Sequence, residues 1–193
     1  MMLNNLKSFL DWRARRFAAP SPPFVKRATI MRNAVAGGIW VETGTFKGDT
    51  TALLARGGTR VYTLEPAEKF YQAAVQRFAG AANITVLNGP SETLFPELLP
   101  TLSGDINFWL DGHYSAGATF QGAKDTPIIA ELDQIAENIG NFGKMAVMVD
   151  DLRCFAPEQP EFRDYPPLRH LVEWAENLGL IWHMEQDIFI ARR

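Results

Sequence analysis

Residues 39–51 read IWVETGTFKGDTT, and residues 61–66 read VYTLEP. The first stretch opens on a β-branched and aromatic run and passes through a turn framed by Gly44 and Gly48. It continues into DTTALLAR at 49–56, a helical pattern with Asp49 as candidate N-cap. The second stretch is another apolar run that ends on an acid, Glu65. Strand, glycine turn, helix and second strand in that order make one βαβ unit.

The alternation continues outward from this unit. Residues 67–79 read as a helix ended by Gly80, and 84–88 as a strand. A short helix at 91–102, with Ser91 as cap and Pro96 as a disturbance, leads to a strand at 106–111. Residues 126–140 carry Thr126 as cap, Pro127 at the first position and Gly140 at the stop, and a strand at 144–150 follows. Residues 24–35 and 167–179 are further helical patterns, and the tail LIWHMEQDIFIARR reads as a hairpin around Glu185-Gln186. The strands are continuously apolar, as strands covered on both faces are. The expected fold class is therefore α/β: a doubly wound, mostly parallel seven-stranded sheet with a C-terminal antiparallel hairpin. No internal repeat or low-complexity tract interrupts it. The expected organisation is a helical arm and linker at 1–23 and one domain at 24–193.

The chain has 193 residues, one Cys and a formal net charge of −3. That length can bury one sizeable core. The lone Cys154 excludes an internal disulfide framework and any Cys-rich zinc site. The acidic balance argues against a nucleic-acid partner held by broad charge neutralisation. No apolar run approaches the roughly 20 residues that span a bilayer. Residues 1–17, MMLNNLKSFLDWRARRF, place apolar residues before the basic ones, the reverse of a secretory signal, so a cytoplasmic location is expected. This basic amphipathic segment suits packing on its own domain, a homodimer contact or a membrane surface. AAPSPP at 18–23 breaks the helix.

In an open parallel sheet, ligands bind beyond the carboxyl ends of the strands, where the strand order reverses. The residues at those exits carry Glu42-Thr43-Gly44-Thr45, Glu65, Asn88-Gly89-Pro90-Ser91, Asp111-Gly112-His113 and Asp150-Asp151. Four of these five exits present a carboxylate, which is not the pattern of a core. The first exit lacks both the G-x-G-x-x-G fingerprint and a P-loop, which disfavours a nicotinamide dehydrogenase. Glu65 lies 23 residues beyond Glu42 (65 − 42), a spacing that suits a carboxylate accepting from a ribose diol. For Glu65 alone, a solvated strand-end acid reads the same way.

VETGTFKGDTT followed by VYTLEP resembles the first two motifs of class I S-adenosylmethionine (SAM)-dependent methyltransferases, whose fold is Rossmann-like. The resemblance runs from about Trp40 to the C-terminus. It implies that Glu42, Gly44 and Gly48 cradle the methionine part of SAM, within reach of Thr43 and Thr45. It implies that Glu65 holds the ribose and that the turn with Gly89 and Ser91 takes the adenine. Pro90 stands where the family often has Asp. Asp111 with Asp150 and Asp151 resembles the metal site of cation-dependent O-methyltransferases of the catechol and macrocin types. Independently of the resemblance, if the fourth and fifth strands are neighbours, Asp111 and Asp150 emerge side by side; three carboxylates so crowded repel one another unless a cation sits among them, and an all-oxygen set favours Mg²⁺. Asp111 therefore counts as a cofactor-binding, metal-ligating and catalytic candidate, and His113 as the candidate base. A loop histidine with only local hydrogen bonds is the alternative for His113.

Two long loops, 112–125 and 151–167, frame the acceptor side, with Tyr114, Arg153 and Phe155 as candidate contacts. Cys154, with no evident base, reads as inert, and Lys26 and Arg27 as a solvated helix face. The expected function is methyl transfer from SAM to a small-molecule hydroxyl, assisted by Mg²⁺. Metal-independent N- or C-methylation and a non-catalytic binding protein of the same fold remain the alternatives.

Overall fold

The computed structural model describes residues 2–57, 59–112 and 126–193. The central βαβ unit forms as expected, from β1 (Ile39–Thr43), α3 (Asp49–Gly57) and β2 (Val61–Glu65). α4 (Glu68–Phe78), β3 (Ile84–Asn88), α5 (Ser91–Leu98), β4 (Gly104–Leu110), α6 (Ile128–Asn138) and β5 (Phe142–Val149) follow. α7 (Leu168–Asn177), β6 (Ile181–Glu185) and β7 (Ile188–Arg192) complete the chain, and α1 (Met2–Ala14) and α2 (Pro23–Asn33) precede the sheet. The sheet order is β3-β2-β1-β4-β5-β7-β6. The first five strands are mutually parallel, and β7 runs antiparallel to both β5 and β6. The chain winds outward from β1 to β3, then returns to lay β4 on the other side of β1. The strand order therefore reverses between β1 and β4.

Alternation along the strands sorts two cores. Val41, Leu64, Phe108, Leu110, Val147 and Val149 join Phe95 of α5, Leu132 of α6 and Leu171 of α7 on one face. Trp40, Val61, Trp109 and Met148 join Ile30 of α2 and Leu54 of α3 on the other. Burial on both faces explains why the strands are apolar without a break. One polar residue lies fully inside β4. Asn107 accepts from the Val35 amide (2.7 Å) and donates to the Val35 carbonyl (3.0 Å), which satisfies it and pins the end of α2 to the sheet.

Several boundaries move by a residue or two. α2 begins at Pro23, which belongs to the helix and not to the linker. Pro90, not Ser91, occupies the cap position of α5, and Pro127 that of α6, where the Thr126 hydroxyl accepts from the Ile128 amide (3.3 Å). β4 ends at Leu110 and β5 at Val149, so Asp111 and Asp150 are the first residues beyond their strands. The hairpin turn falls on Gln186 and Asp187, both with positive φ (53° and 67°). Within α1, the Trp12 indole donates to the Ala18 carbonyl (3.0 Å) and meets the Phe17 ring edge-on (4.9 Å). The helix thus closes on the turn that follows it, leaving Leu6 and Leu10 exposed. Among the described residues, no helix is long and apolar enough to cross a membrane.

Phe108 is fully buried at mid-sheet, with the rings of Phe142 (5.7 Å) and Phe95 (6.5 Å) beside it. Phe108→Ala should lower the unfolding free energy by roughly 3–5 kcal/mol, read as a shift in the urea midpoint at unchanged slope.

Candidate functional site

The exits of β1 and β4 meet at the reversal point. Gly44 has φ +85°, and a Cβ there would lie 2.6 Å from the carbonyl oxygen of Asp111. Only glycine fits that approach. The Asp111 amide donates to the Thr43 hydroxyl (3.2 Å), and the Gly44 amide donates to the Leu64 carbonyl of β2 (3.0 Å). Three strand ends are thereby tied at one point.

Glu42 lies beneath this knot and is almost completely buried. Its Oε2 accepts from the hydroxyls of Thr51 on α3 (2.5 Å) and Thr63 on β2 (2.7 Å). Its Oε1 has no hydrogen-bond partner among the described residues. Burial pushes its pKa up to about 7, against the two threonine hydrogen bonds and with help from the nearby Glu65 charge. Glu65 accepts one amide on each oxygen, from Phe46 (2.7 Å) and Ala67 (2.9 Å). Burial raises its pKa, and the two amides oppose the rise. Each oxygen keeps capacity for a further donor. Beside it, Phe46 and Phe70 meet ring to ring at 4.8 Å. At the third exit Asn88 donates to Glu68 (2.6 Å), Gly89 has φ +145°, and Ser91 is buried. Gly48 (φ +74°) faces the Phe78 ring, which leaves no room for a side chain there.

β4 and β5 are neighbours in the register Leu110↔Val149, so Asp111 and Asp150 emerge side by side. One carboxylate oxygen from each of Asp111, Asp150 and Asp151 lies within 4.8 Å of the others. Lys26 of α2 reaches into this cluster. Its ammonium stands 2.6 Å from Asp150 Oδ2 and 3.4 Å from Asp151 Oδ1. Arg153 donates to Asp151 (2.7 Å) and also pairs with Asp187 of the hairpin turn. Asp151 has φ +56°, and the amides of Leu152 and Arg153 donate to the Asp187 carbonyl (3.0 Å) and carboxylate (2.9 Å). The hairpin therefore holds the loop that carries the acids. Burial works against the charge on Lys26, but Asp150, Asp151 and Asp111 outweigh it and raise its pKa. Burial, and then the Asp151 charge, push Asp150 up against the pull of Lys26.

A small cleft opens beside the cluster, lined by Leu110, Gly112, Thr126, Glu131, Asp150 and Tyr165, with Phe155 also on its wall. Cys154 is buried, and burial followed by the Asp151 charge pushes its thiol up to about 11, which keeps it protonated.

Glu42, Thr43, Gly44, Glu65 and Asp111 thus share one rim, and Asp111, Asp150 and Asp151 form one cluster on it. Gly89 and Ser91 stand at the neighbouring exit. His113 and Tyr114 lie outside the described residues. The reading of Lys26 as solvent-facing is corrected: it is ion-paired in the cluster, whereas Arg27 stays half-exposed with a long pairing to Asp49 (3.8 Å). A signal was available in the sequence. Lys26, Ile30 and Asn33 share a helix face by i, i+4, i+7 spacing, and Ile30 and Asn33 are buried. Asp187 and the hydroxyls of Thr51 and Thr63 were also missed.

A seven-stranded sheet of this order, with its carboxylate rim at the β1–β4 reversal, is the Rossmann-like methyltransferase fold. Solved structures carry the same architecture. An rRNA methylase from Streptococcus thermophilus is 16% identical, with 91% of this chain and 97% of that chain covered and a TM-score of 0.51. A candidate methyltransferase from Streptococcus mutans, solved in complex with SAH, is 13% identical, with 91% and 98% covered and a TM-score of 0.52. A precorrin 8w decarboxylase from Methanobacterium thermoautotrophicum is 16% identical, with 91% of both chains covered and a TM-score of 0.51. No protein-family model and no curated protein sequence matches this chain. At such identities the likeness concerns the fold, and the chemistry rests on the site.

The raised Glu42 pKa has a stability consequence of definite sign. Between the ordinary value of 4.5 and the folded value of about 7, the unfolded chain holds fewer protons at this site than the folded one. Stability therefore falls as pH rises through that window and levels off above it, with a total on the order of 3 kcal/mol. Urea unfolding of wild type and Glu42→Gln across pH 4–8 should show a steeper fall in the wild type, since Glu65 and Asp150, also raised by burial, add the same slope to both proteins and the difference between the two curves reports Glu42.

Proposed function

We propose that this chain is a SAM-dependent methyltransferase that acts on a hydroxyl group of a small molecule. The observation that carries the reading is the convergence of Glu42, Glu65 and Asp111 on the rim where β1 meets β4. The orphaned, buried Oε1 of Glu42 and the spare acceptor capacity of Glu65 suit a ligand bearing an amine at one end and a diol at the other. Glu42, Thr43, Gly44 and Gly48 would hold the methionine part of SAM, Glu65 the ribose, and the turn with Gly89 and Ser91 the adenine. Bound SAM supplies a methyl group already activated on its sulfonium. The chain's own task is to align an acceptor oxygen and remove its proton. The cleft beside Asp150 supports acceptor entry on the α6 side. His113, two residues beyond Asp111 in sequence, is assigned the proton.

The acid cluster supports the cation-assisted version. The Asp111, Asp150 and Asp151 oxygens form a hard donor set that suits Mg²⁺, which supplies Lewis acidity toward the acceptor hydroxyl when bound. The Lys26 ammonium on the same oxygens favours a second, metal-free version, in which the cluster is already neutralised in part. A folded rRNA substrate finds no support in the overall charge, a formal −3, which offers no broad neutralisation of phosphates.

Calorimetry with SAH should show one site per chain. Glu65→Ala should weaken it by about tenfold or more, the loss of charge-assisted hydrogen bonds. No binding to the wild type would reject the reading. Methyl transfer to a panel of catechol and sugar hydroxyls should require Mg²⁺. Turnover that survives thorough chelation selects the metal-free version.

A further inference from the structure

We infer that α1 and the turn that closes it form an arm that docks on an anionic lipid surface, lying among the headgroups with its leucine face down. Leu6, Phe9, Leu10 and Arg13 follow one another at i, i+3, i+4 and i+7, so they share one face of α1. Leu6 (56%) and Leu10 (50%) stand in solvent, and Phe9 is exposed beside them. The chain then reverses through Arg16 and Phe17, both with positive φ (55° and 62°). That reversal sets the Phe17 ring 6.3 Å from the Phe9 ring and adds a further exposed apolar side chain to the stripe. Arg15 holds the turn by donating to the Pro20 carbonyl (3.0 Å), as the Trp12 indole does by donating to Ala18. The arm thus keeps its shape by contacts within itself, and its leucines are left over. Its 13 residues make about 20 Å of helix, which suits lying in the interface and not crossing it.

Charge selects the partner. Residues 1–17 carry Lys7, Arg13, Arg15 and Arg16 against the single acid Asp11, a formal +3, whereas the other residues carry fifteen basic against twenty-one acidic side chains, a formal −6. The helical count puts Asp11 with Asn4 and Ser8 on the face opposite the leucines, while Arg13 continues the stripe and Lys7 borders it. Long basic side chains so placed can lay their stems along the acyl region and reach phosphates with their heads. A second copy is a poorer occupant. Two arms face to face set +3 against +3. Outside the arm, the exposed large apolar side chains among the described residues are Phe46, Val75, Ile129, Ile181 and Met184, spread over the β1–α3 turn, α4, α6 and β6. They make no patch that matches the stripe. An RNA would answer the charge and leave the leucines in water. An anionic lipid surface answers both and needs no shaped pocket.

Co-sedimentation of the full chain with vesicles tests this. Phosphatidylcholine vesicles containing about one-third phosphatidylglycerol should carry the protein down, and pure phosphatidylcholine should not. Salt at about 0.5 M should release most of it. Leu6→Ser/Leu10→Ser changes two exposed positions, so its urea midpoint should match the wild type while its vesicle binding weakens by about tenfold or more. A Leu10→Trp variant should add emission that brominated acyl chains quench. No sedimentation of the wild type with the mixed vesicles at low salt overturns the inference, as does sedimentation that Leu6→Ser/Leu10→Ser leaves unchanged. A wild-type dimer in analytical ultracentrifugation that the same double variant dissociates assigns the leucine face to a second copy and overturns it too.

Discussion

The carbonyl of Asp111 and the α-carbon of Gly44 approach so closely that no side chain fits between them, and the geometry of the site follows from that contact. It joins the exit of β1 to the exit of β4 at the one place where the strand order reverses. A parallel sheet wound in one direction would have its exits covered by the next crossover. Reversal leaves the rim between two strands open, and ligands of such sheets bind there. The Thr43 hydroxyl, which takes the Asp111 amide, and the Leu64 carbonyl, which takes the Gly44 amide, extend the tie to β2. Glu42, Glu65 and Asp111, separated by tens of residues in the chain, are brought onto one edge by two backbone contacts and one threonine hydroxyl.

The acids on that edge are held in different ways. Glu42 is sealed under two threonine hydroxyls and titrates near neutrality. Glu65 is gripped by two backbone amides. The Asp150–Asp151 pair depends on side chains from remote elements, Lys26 ahead of the sheet and Arg153 anchored by the hairpin residue Asp187. The order reflects distance from the knot. Close to it threonine hydroxyls and backbone amides supply the donors, and farther out long cationic side chains do. Among the described residues, the Lys26 stem bridges α2 to the β5 exit and Arg153 bridges that exit to the hairpin.

Much of this was legible in the sequence. The alternation of apolar runs and capped helices determined the architecture, because strands covered on both faces cannot hide their pattern. The exits announced themselves as carboxylates where a core would have none. Pairing across the sheet was less legible: that β4 and β5 are neighbours was an assumption until the register Leu110↔Val149 was in hand. Lys26 was misjudged because its charge outweighed its position in the helical count. Its spacing from Ile30 and Asn33 placed it on the buried face, and a buried lysine demands an anionic partner. Asp187 left no trace, because a turn acid that reaches back 34 residues in sequence, to Arg153, looks like any other turn acid.

The energetics of the acid cluster bear on why it exists at all. Removing a carboxylate from water costs several kcal/mol even after relaxation, and a buried pair rarely recovers more than that cost. Asp150 and Asp151 are both buried, beside each other and beside Asp111. Apolar residues at these exits would extend the core formed by Leu110 and Val149 and would stabilise the fold more. The Glu185 carboxylate at the β6 exit, by contrast, stays partly exposed and pairs with Arg32 at the surface. A cluster that opposes folding, placed at the open rim of a sheet whose order reverses there, is the kind of strained electrostatic arrangement that functional sites maintain. A divalent ion, or a cationic group on a ligand, set among these oxygens would relieve the repulsion between the three acids.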